Sequence, residues 1–444
     1  MQEKKYPKVI VTGIDAWRND VGANTIPNFF ASWNPDQLVV VYTKSELPET
    51  KLCNNFFQIS ENEVLHAAIH PGKKCGKIVY NESPKKSDAQ RDHVKSKEVI
   101  EEHKCYNFFR NHRWSFFYLA REILWNLGSW KSEELDKFLK QVDADVIFFP
   151  IYPYAYMNKI QSYIAKKTGL RGVGYMADDN YSYKPEWYNP LFIIRRFFLR
   201  KSIEGVMKYC DELLVILPML KKEYEKQFNV PIKVLTKGID IDECTFNNTT
   251  RKFPLKMVYT GNLFIGRDKS IVKVIKAIDR INRESGQTLM QLDIYSHIHL
   301  SARLIDKLNL KGSSSFKGSV PISEVENIQN GADIVLFVEG IGFFNRNKAR
   351  LSFSTKLTDY FKSGKCIFAV GKTNIAPIDY LLNNNAAIVA SSEQAIYLQL
   401  KNIVARPELI DKYGKAAHTL GIKNHSNQVM KSTLYHSLNR AAKQ

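Results

Sequence analysis

The chain has 444 residues, of which 64 are Lys or Arg and 45 are Asp or Glu, giving a formal net charge of +19. This length is too great for one ordinary hydrophobic core, so two domains are expected, and the charge favours an anionic partner. Nucleic acid is not expected as that partner, because the sequence has no zinc-finger spacing, no heptads beside a basic region and no RNA-recognition stacking motif.

The amino-terminal half alternates between short apolar runs and helical patterns. Buried strands are predicted at residues 8–12, 38–42, 145–149, 172–176 and 212–217. Helices are predicted at residues 114–127, 132–141, 157–168 and 218–227. Such alternation predicts a doubly wound α/β domain with a largely parallel sheet.

Residues 235–254 lose this periodicity and gather turn-forming residues, so we expect the hinge between two domains there. Strands and helices alternate again beyond it. The predicted organisation is therefore an amino-terminal domain at 1–240, a carboxy-terminal domain at 253–425, and a terminal helix at 426–444 that could pack back on the first domain.

The first segment of the second domain to suggest chemistry is the predicted strand at 256–262. It runs into a glycine turn at Gly261 and Asn262, and Arg267 follows just before a helical pattern at 271–281. Backbone N–H groups at the start of a helix attract anions, so this turn is predicted to face an anionic ligand.

The most informative segment, residues 350–371, joins a polar turn, a helix start and a buried strand. Ser354 and Thr355 are expected to cap the helix, Lys356 adds a positive charge, and Asp359 could accept hydrogen bonds from sugar hydroxyls. These features predict a diphosphate site. The segment alone also fits a capped surface helix between two strands.

Taken together, these segments resemble the donor-binding half of a GT-B glycosyltransferase of the retaining, group 1 (family 4-like) kind found in bacterial polysaccharide synthesis. The resemblance covers residues 253–390 well and the amino-terminal half loosely. The matching residues are Tyr259-Thr-Gly-Asn-Leu with Arg267, Leu292-Asp-Ile-Tyr, Val320-Pro-Ile-Ser-Glu with Ala332-Asp-Ile-Val-Leu, and Phe353-Ser-Thr-Lys-Leu-Thr-Asp-Tyr with Ser363-Gly-Lys.

The resemblance implies two Rossmann-like domains facing a cleft, and transfer of a sugar from a nucleotide-sugar donor to a saccharide or lipid-linked acceptor. It implies that Arg267 and Lys356 neutralise the diphosphate and that Asp359 holds the ribose. Asp359 stands where the family has the second of two glutamates, whereas the first is replaced by Leu351. The remaining implied donor contacts are Gly261, Asn262, Ser354, Thr355 and Leu357. No metal ion or cofactor is expected.

On the acceptor side, the family often has a histidine after the strand that matches 172–176, but this chain has Ala177 followed by Asp178 and Asp179. Either aspartate could bind or polarise the acceptor, with Asp178 also a catalytic candidate; alternatively, the pair caps a turn. Gly22, in the loop after the first strand, is a further acceptor-side candidate; this loop could approach the acceptor or the donor phosphates, or it is a flexible surface loop without such a role. Other functions left open are a GT-B epimerase and an inactive basic scaffold.

The segment 189–200 combines aromatic and branched side chains with three arginines and has no acidic residue. As a helix it could lie on an anionic membrane, or it could be a core helix whose arginines reach solvent. No signal peptide is recognised and no apolar run reaches the ~18 residues needed to span a bilayer. The expected location is the cytoplasm, with a peripheral position on the inner face of the cell membrane as an option.

Overall fold

The computed structural model describes residues 6–18, 25–70, 75–81, 115–241, 251–298, 300–342, 347–348 and 350–443. Two separate sheets, one of eight strands and one of six, form its framework. Helices connect most of the successive strands of each sheet, as expected because parallel strands need crossover connections.

The amino-terminal sheet has the strand order β4-β3-β2-β1-β5-β6-β7-β8 and is parallel except for the pairing of β3 with β4. Its central strands are buried along their whole length, as expected for strands covered on both faces. The strands are β1 Val9–Gly13, β2 Leu38–Tyr42, β3 Asn55–Gln58, β4 Lys77–Val79, β5 Val146–Pro150, β6 Gly172–Met176, β7 Cys210–Val215 and β8 Ile232–Val234.

The helices of this half begin and end at recognisable signals. Ser60 and Ser132 each accept a hydrogen bond from the third residue beyond them, and Gly169, in the left-handed region at φ 73°, ends a helix. The helices are α1 Thr25–Phe29, α2 Glu61–Ile69, α3 Ser115–Leu127, α4 Glu133–Gln141, α5 Ala155–Thr168, α6 Pro190–Met207 and α7 Pro218–Tyr224.

The carboxy-terminal sheet is parallel throughout, with the order β11-β10-β9-β12-β13-β14. Its strands are β9 Leu255–Thr260, β10 Met290–Tyr295, β11 Ser314–Gly318, β12 Ile334–Val338, β13 Cys366–Val370 and β14 Ile388–Ala390. Its helices are α8 Arg267–Ser285, α9 Ala302–Leu308, α10 Ile322–Asn330, α11 Lys356–Ser363, α12 Ala376–Asn383, α13 Glu393–Ala405 and α14 Glu408–His425. The predicted α/β class, with two doubly wound Rossmann-like sheets, is confirmed.

A last helix, α15 Asn427–Ala441, leaves the second sheet and packs on the first. Its side chains Met430, Leu434 and Leu438 are buried in the apolar cluster formed by the amino-terminal strands. Where α15 begins, the Ile239 N–H donates to the His425 carbonyl and the Asn427 N–H donates to the Ile239 carbonyl, both at 2.9 Å. The chain therefore passes twice between the sheets, and the two passages are hydrogen-bonded to each other.

Across the described ranges, none of the helices combines the length and apolar character that crossing a membrane would need.

Candidate functional site

The turn after β9 contains a glycine that a larger residue could not replace without displacing a charge. Gly261 has φ 150°, and a Cβ placed on it would lie 1.5 Å from the Nζ atom of Lys356. The Tyr259 hydroxyl closes the turn by donating to the Asn262 carbonyl. This glycine therefore creates the space that the lysine ammonium occupies.

Lys356 is the first residue of α11, and its ammonium lies at the carboxyl edge of the sheet. Its Nζ is 4.7 Å from the centre of the Tyr259 ring and 3.4 Å from that residue's hydroxyl oxygen. Burial, and secondarily the nearby Arg267, lower the pKa of Lys356 to about 8, although Glu339 opposes the shift. An anionic ligand would favour the charged form of Lys356 and so oppose the effect of burial, and titratable groups with pKa values shifted in this way cluster at functional sites.

Arg267, the first residue of α8, is held in place by Glu339. Its Nη2 lies 2.9 and 3.0 Å from the two carboxylate oxygens of Glu339, and its Nη1 donates to the Asn262 side chain at 2.9 Å. Both side chains of the ion pair are largely buried. The structure thus brings together Gly261, Asn262, Arg267 and Lys356, four of the proposed donor contacts. Most N–H groups of Arg267 already have a hydrogen-bond partner.

Sequence reasoning missed Glu339. The available signal was an acidic residue directly after β12, a strand buried along its whole length. A charged residue at the carboxyl edge of a parallel sheet indicates a ligand-binding site. The pairing of Glu339 with Arg267, 72 positions away, could not be predicted from the sequence.

We expect Glu339→Gln to lower the free energy of unfolding by about 3 kcal/mol, because it leaves the buried Arg267 charge uncompensated. The control is Glu408→Gln. Glu408 also pairs with an arginine, Arg406 at 3.1 Å, but both side chains are exposed. That variant is expected to cost less than about 1 kcal/mol. Urea denaturation of both variants makes the comparison, and equal losses would contradict a buried role for the Arg267–Glu339 pair.

The predicted capping of α11 by serine and threonine hydroxyls is not observed. Thr355 itself has helical backbone angles and makes no side-chain cap. The Leu357 N–H instead donates to the Ser354 carbonyl at 3.0 Å, and the Thr358 hydroxyl donates to the Thr355 carbonyl. The Leu357 side chain lies in the core. The charge of Lys356, rather than a capped helix start, is therefore the main anion-binding feature of α11.

Asp359 lies in the first turn of α11, where it interacts electrostatically with Lys356 and with Lys237 of the interdomain segment. The residue is exposed, yet the surrounding protein removes enough water to raise the pKa of its carboxyl, with Lys237 opposing this. Leu351, at the position of the missing family glutamate, is buried and contributes no polar group.

The two acceptor-side aspartates have different environments. Asp179 receives hydrogen bonds from the backbone N–H and hydroxyl of Ser182 and from the Tyr224 hydroxyl, and so holds a turn. Asp178, at the exposed surface between the domains, interacts with the Ser352 hydroxyl of the second domain. Desolvation raises the pKa of Asp178, and the hydrogen bond with Ser352 opposes that shift. Both aspartates thus interact with the donor-side segment, Asp178 through Ser352 and Asp179 through Arg350, and Asp179 also holds a turn.

Ion pairs bridge the two domains beside Asp178. Arg350 lies 3.1 Å from Glu223 and 3.5 Å from Asp179, and Lys348 lies 3.0 Å from Glu186. These contacts bring together the segments that follow the carboxyl edges of the two sheets, which is where ligands bind in α/β folds. The remaining acceptor-side candidate, Gly22, lies outside the described residues.

Within the residues that the structure describes, no group of three or more His, Cys, Asp or Glu side chains is arranged to hold a metal ion. The four cysteines described, Cys53, Cys75, Cys210 and Cys366, are buried free thiols.

Comparison with known proteins finds solved structures that resemble this chain. No family model matches the sequence, and no curated protein matches it. Anabaena HepE in complex with UDP aligns with a TM-score of 0.60 at 9% identity, covering 98% of this chain and 100% of that one. Sucrose-phosphate synthase from Thermosynechococcus elongatus aligns with a TM-score of 0.57 at 10% identity, covering 98% and 100%. An E. coli trehalose-6-phosphate protein bound with UDP-2-fluoro glucose aligns with a TM-score of 0.58 at 10% identity, covering 98% and 99%. The fold is the GT-B fold of these structures.

Proposed function

We propose that this chain is a glycosyltransferase that moves a sugar from a nucleotide-sugar donor to a saccharide or lipid-linked acceptor, with retention at the anomeric carbon, in cell-surface polysaccharide synthesis. The observation that carries the proposal is the desolvated ammonium of Lys356, set into the space left by Gly261 at the carboxyl edge of the second sheet. The UDP complex of Anabaena HepE, which has the same fold, supports a nucleotide as the ligand.

The charge at this turn suits a leaving diphosphate. When the bond between the anomeric carbon and the donor phosphate oxygen breaks, negative charge grows on that phosphate, and a fixed cation stabilises it. Glu339 offsets the charge of Arg267, so Lys356 supplies the uncompensated positive charge. We assign Lys356 to direct contact with the diphosphate. Arg267 holds the shape of the turn, and its remaining N–H groups donate to the same diphosphate.

The remaining donor contacts are proposed from the positions of residues near Lys356. Asp359, one helical turn beyond Lys356, is the proposed ribose ligand, since a carboxylate accepts hydrogen bonds from two neighbouring hydroxyls. The backbone around Gly261 and Asn262, and the start of α11 at Ser354 and Thr355, complete the proposed contacts.

Asp178 is the proposed acceptor-side residue. Its interaction with Ser352 of the second domain supports this role, because a carboxyl group there could orient an acceptor hydroxyl towards the donor. By the resemblance, the donor phosphate itself takes the acceptor proton, so Asp178 orients the acceptor and need not act as a base.

The proposal is tested by nucleotide release. UDP-, GDP- and ADP-sugars are incubated with the protein and a panel of saccharide and lipid-linked acceptors, and free nucleoside diphosphate is measured. Release with one nucleotide family that depends on an acceptor, with an unchanged anomeric configuration in the product by NMR, is the expected result. Nucleotide binding without release across the panel would instead support an inactive scaffold.

The lowered pKa of Lys356 predicts how donor affinity depends on pH. The ammonium of the free protein loses its proton as the pH rises through about 8, whereas a bound diphosphate favours the protonated form. Affinity for the nucleoside diphosphate should therefore be constant from pH 6.5 to 7.5 and fall by up to about tenfold per pH unit above 8. Calorimetric titration between pH 6.5 and 9.5 measures this. Lys356→Met should give a flat profile, and a wild-type profile equally flat would contradict the assignment.

A further inference from the structure

Helix α6 exposes a broad apolar face. One side of the helix packs into the core through Phe192, Leu199, Ile203 and Val206. The opposite side exposes large apolar side chains over the first three turns, with Phe198 at 59% and Phe197 at 49% relative exposure. We call this surface, formed by Leu191, Ile193, Ile194, Phe197 and Phe198, the α6 apolar face.

Further exposed apolar side chains lie close to this face. Trp187 and Tyr188 directly precede α6 and are exposed, and α3, which packs beside α6, exposes Ile123 and Leu127. Tryptophan and tyrosine are the residues enriched at the boundary between lipid and water. A contiguous exposed apolar surface of this kind marks an interaction site.

The charges around the α6 apolar face favour an anionic partner. Residues 187–203 contain Arg195, the buried Arg196, Arg200 and Lys201 and no acidic residue. By helical periodicity, Arg195 lies at one edge of the face and Arg200 at the other. Lys201 lies within the exposed arc, where it pairs with Glu204 at 3.1 Å, so the net basic charge at the face comes from Arg195 and Arg200. A second copy of the chain would bring two such basic faces together, which like-charge repulsion disfavours.

The same helix is tied to the acceptor side of the cleft. The buried Arg196 donates from Nη1 to the Asp179 carbonyl at 3.1 Å, and Arg200 donates to the Tyr181 carbonyl at 3.1 Å. The Arg200 guanidinium also lies 3.8 Å from the centre of the Tyr181 ring. The loop that carries Asp178 is therefore fixed to the helix that bears the exposed face.

We propose that the α6 apolar face docks on an anionic lipid surface and so brings the loop after β6 close to the bilayer. Phe197 and Phe198 enter the boundary between headgroups and acyl chains, while the flanking basic side chains contact anionic headgroups. Docking goes beyond the proposed sugar transfer. It requires no nucleotide, so the two proposals can fail separately.

The test is sedimentation of the full chain with vesicles of phosphatidylcholine alone, or of phosphatidylcholine with phosphatidylglycerol, in the absence of nucleotide. The variant is Phe197→Ser with Phe198→Ser. The matched control is Ile322→Ser with Leu398→Ser, two exposed apolar residues of the second domain. We expect binding to the anionic vesicles only, weakened at least about tenfold in the first variant and unchanged in the control.

Two checks keep this result interpretable. The substituted side chains are exposed, so the wild type and both variants should have equal melting temperatures. Equal values exclude misfolding as the cause of weakened vesicle binding. Sedimentation velocity without vesicles tests self-association. The proposal is overturned if the wild type binds neither vesicle, if it binds both equally, or if it forms a dimer that the Phe197→Ser, Phe198→Ser variant dissociates.

Discussion

Lys356→Met should reduce kcat/KM for the donor by about 100- to 1,000-fold, and weaken nucleoside diphosphate binding by at least about tenfold, without destabilising the fold. The loss follows from removing a cation aimed at the developing phosphate charge in a desolvated site. Calorimetric Kd and steady-state turnover measure the two effects.

The unchanged stability is as informative as the lost binding. Because the folded protein lowers the pKa of Lys356, it disfavours the charged form relative to the unfolded chain. The pKa falls from the unfolded value to about 8 in the folded state, so below pH 8 this charge costs stability, and its removal should leave the melting temperature equal or slightly raised at pH 7. Residues retained at a cost to stability are typical of functional sites.

The control for this variant is Lys362→Met. Lys362 lies on the same helix, is more exposed and pairs with Glu326 at 2.8 Å. Its pKa is raised, chiefly by that hydrogen bond, so it behaves as a surface ion pair. Lys362→Met should leave the Kd unchanged. A similar loss of affinity in both variants would mean that Lys356 acts only through the general positive charge of the chain.

Gly261→Ala is expected to weaken nucleoside diphosphate binding about as much as Lys356→Met. The added Cβ would stand 1.5 Å from the present position of the lysine Nζ, and the lysine can yield because it is the flexible end of a side chain. The ammonium then leaves its place over the Tyr259 ring. The effect operates through Lys356, so the double variant Gly261→Ala, Lys356→Met should bind no more weakly than Lys356→Met alone.

Gly286→Ala tests whether an alanine at a positive φ affects binding without displacing a side chain. Gly286 also has a positive φ, 72°, but a Cβ there would meet no atom within 4 Å. We expect it to cost about 1 kcal/mol of stability with no change in Kd. Additive losses in the double variant at Gly261 and Lys356, or weakened binding in Gly286→Ala, would contradict a specific contact between the two residues.

Much of the fold could be predicted from the sequence, because the central strands are short apolar runs bounded by turn residues. The predicted strands at 38–42 and 172–176 agree with β2 and β6 to the residue. Strands at sheet edges gave no such signal: β11 reads Ser-Ser-Phe-Lys-Gly, and β4 has three residues, two of them exposed. Edge strands form because a neighbouring strand offers hydrogen bonds, which a local pattern does not reveal.

The candidate site, too, could be predicted from the sequence only in part. The sequence located the turn at Gly261 and the start of α11, because glycine and lysine mark such turns locally. It did not predict the bidentate pair of Arg267 with Glu339, or the contact of Asp178 with Ser352 across the domains. These depend on the packing of distant segments. The expected serine or threonine cap failed because Thr355 continues the helical backbone instead of adopting the extended conformation of a cap.

The proposed donor site is tested most directly by the melting temperatures of the wild type and of Lys356→Met with UDP, GDP, ADP and their sugars. A ligand that binds only the folded state at 100 times its Kd adds about 2.7 kcal/mol of stability. The predicted result is a rise of several degrees with one nucleotide family, present in the wild type and greatly reduced in Lys356→Met. No rise with any nucleotide, or equal rises in both proteins, would contradict a diphosphate site at Lys356.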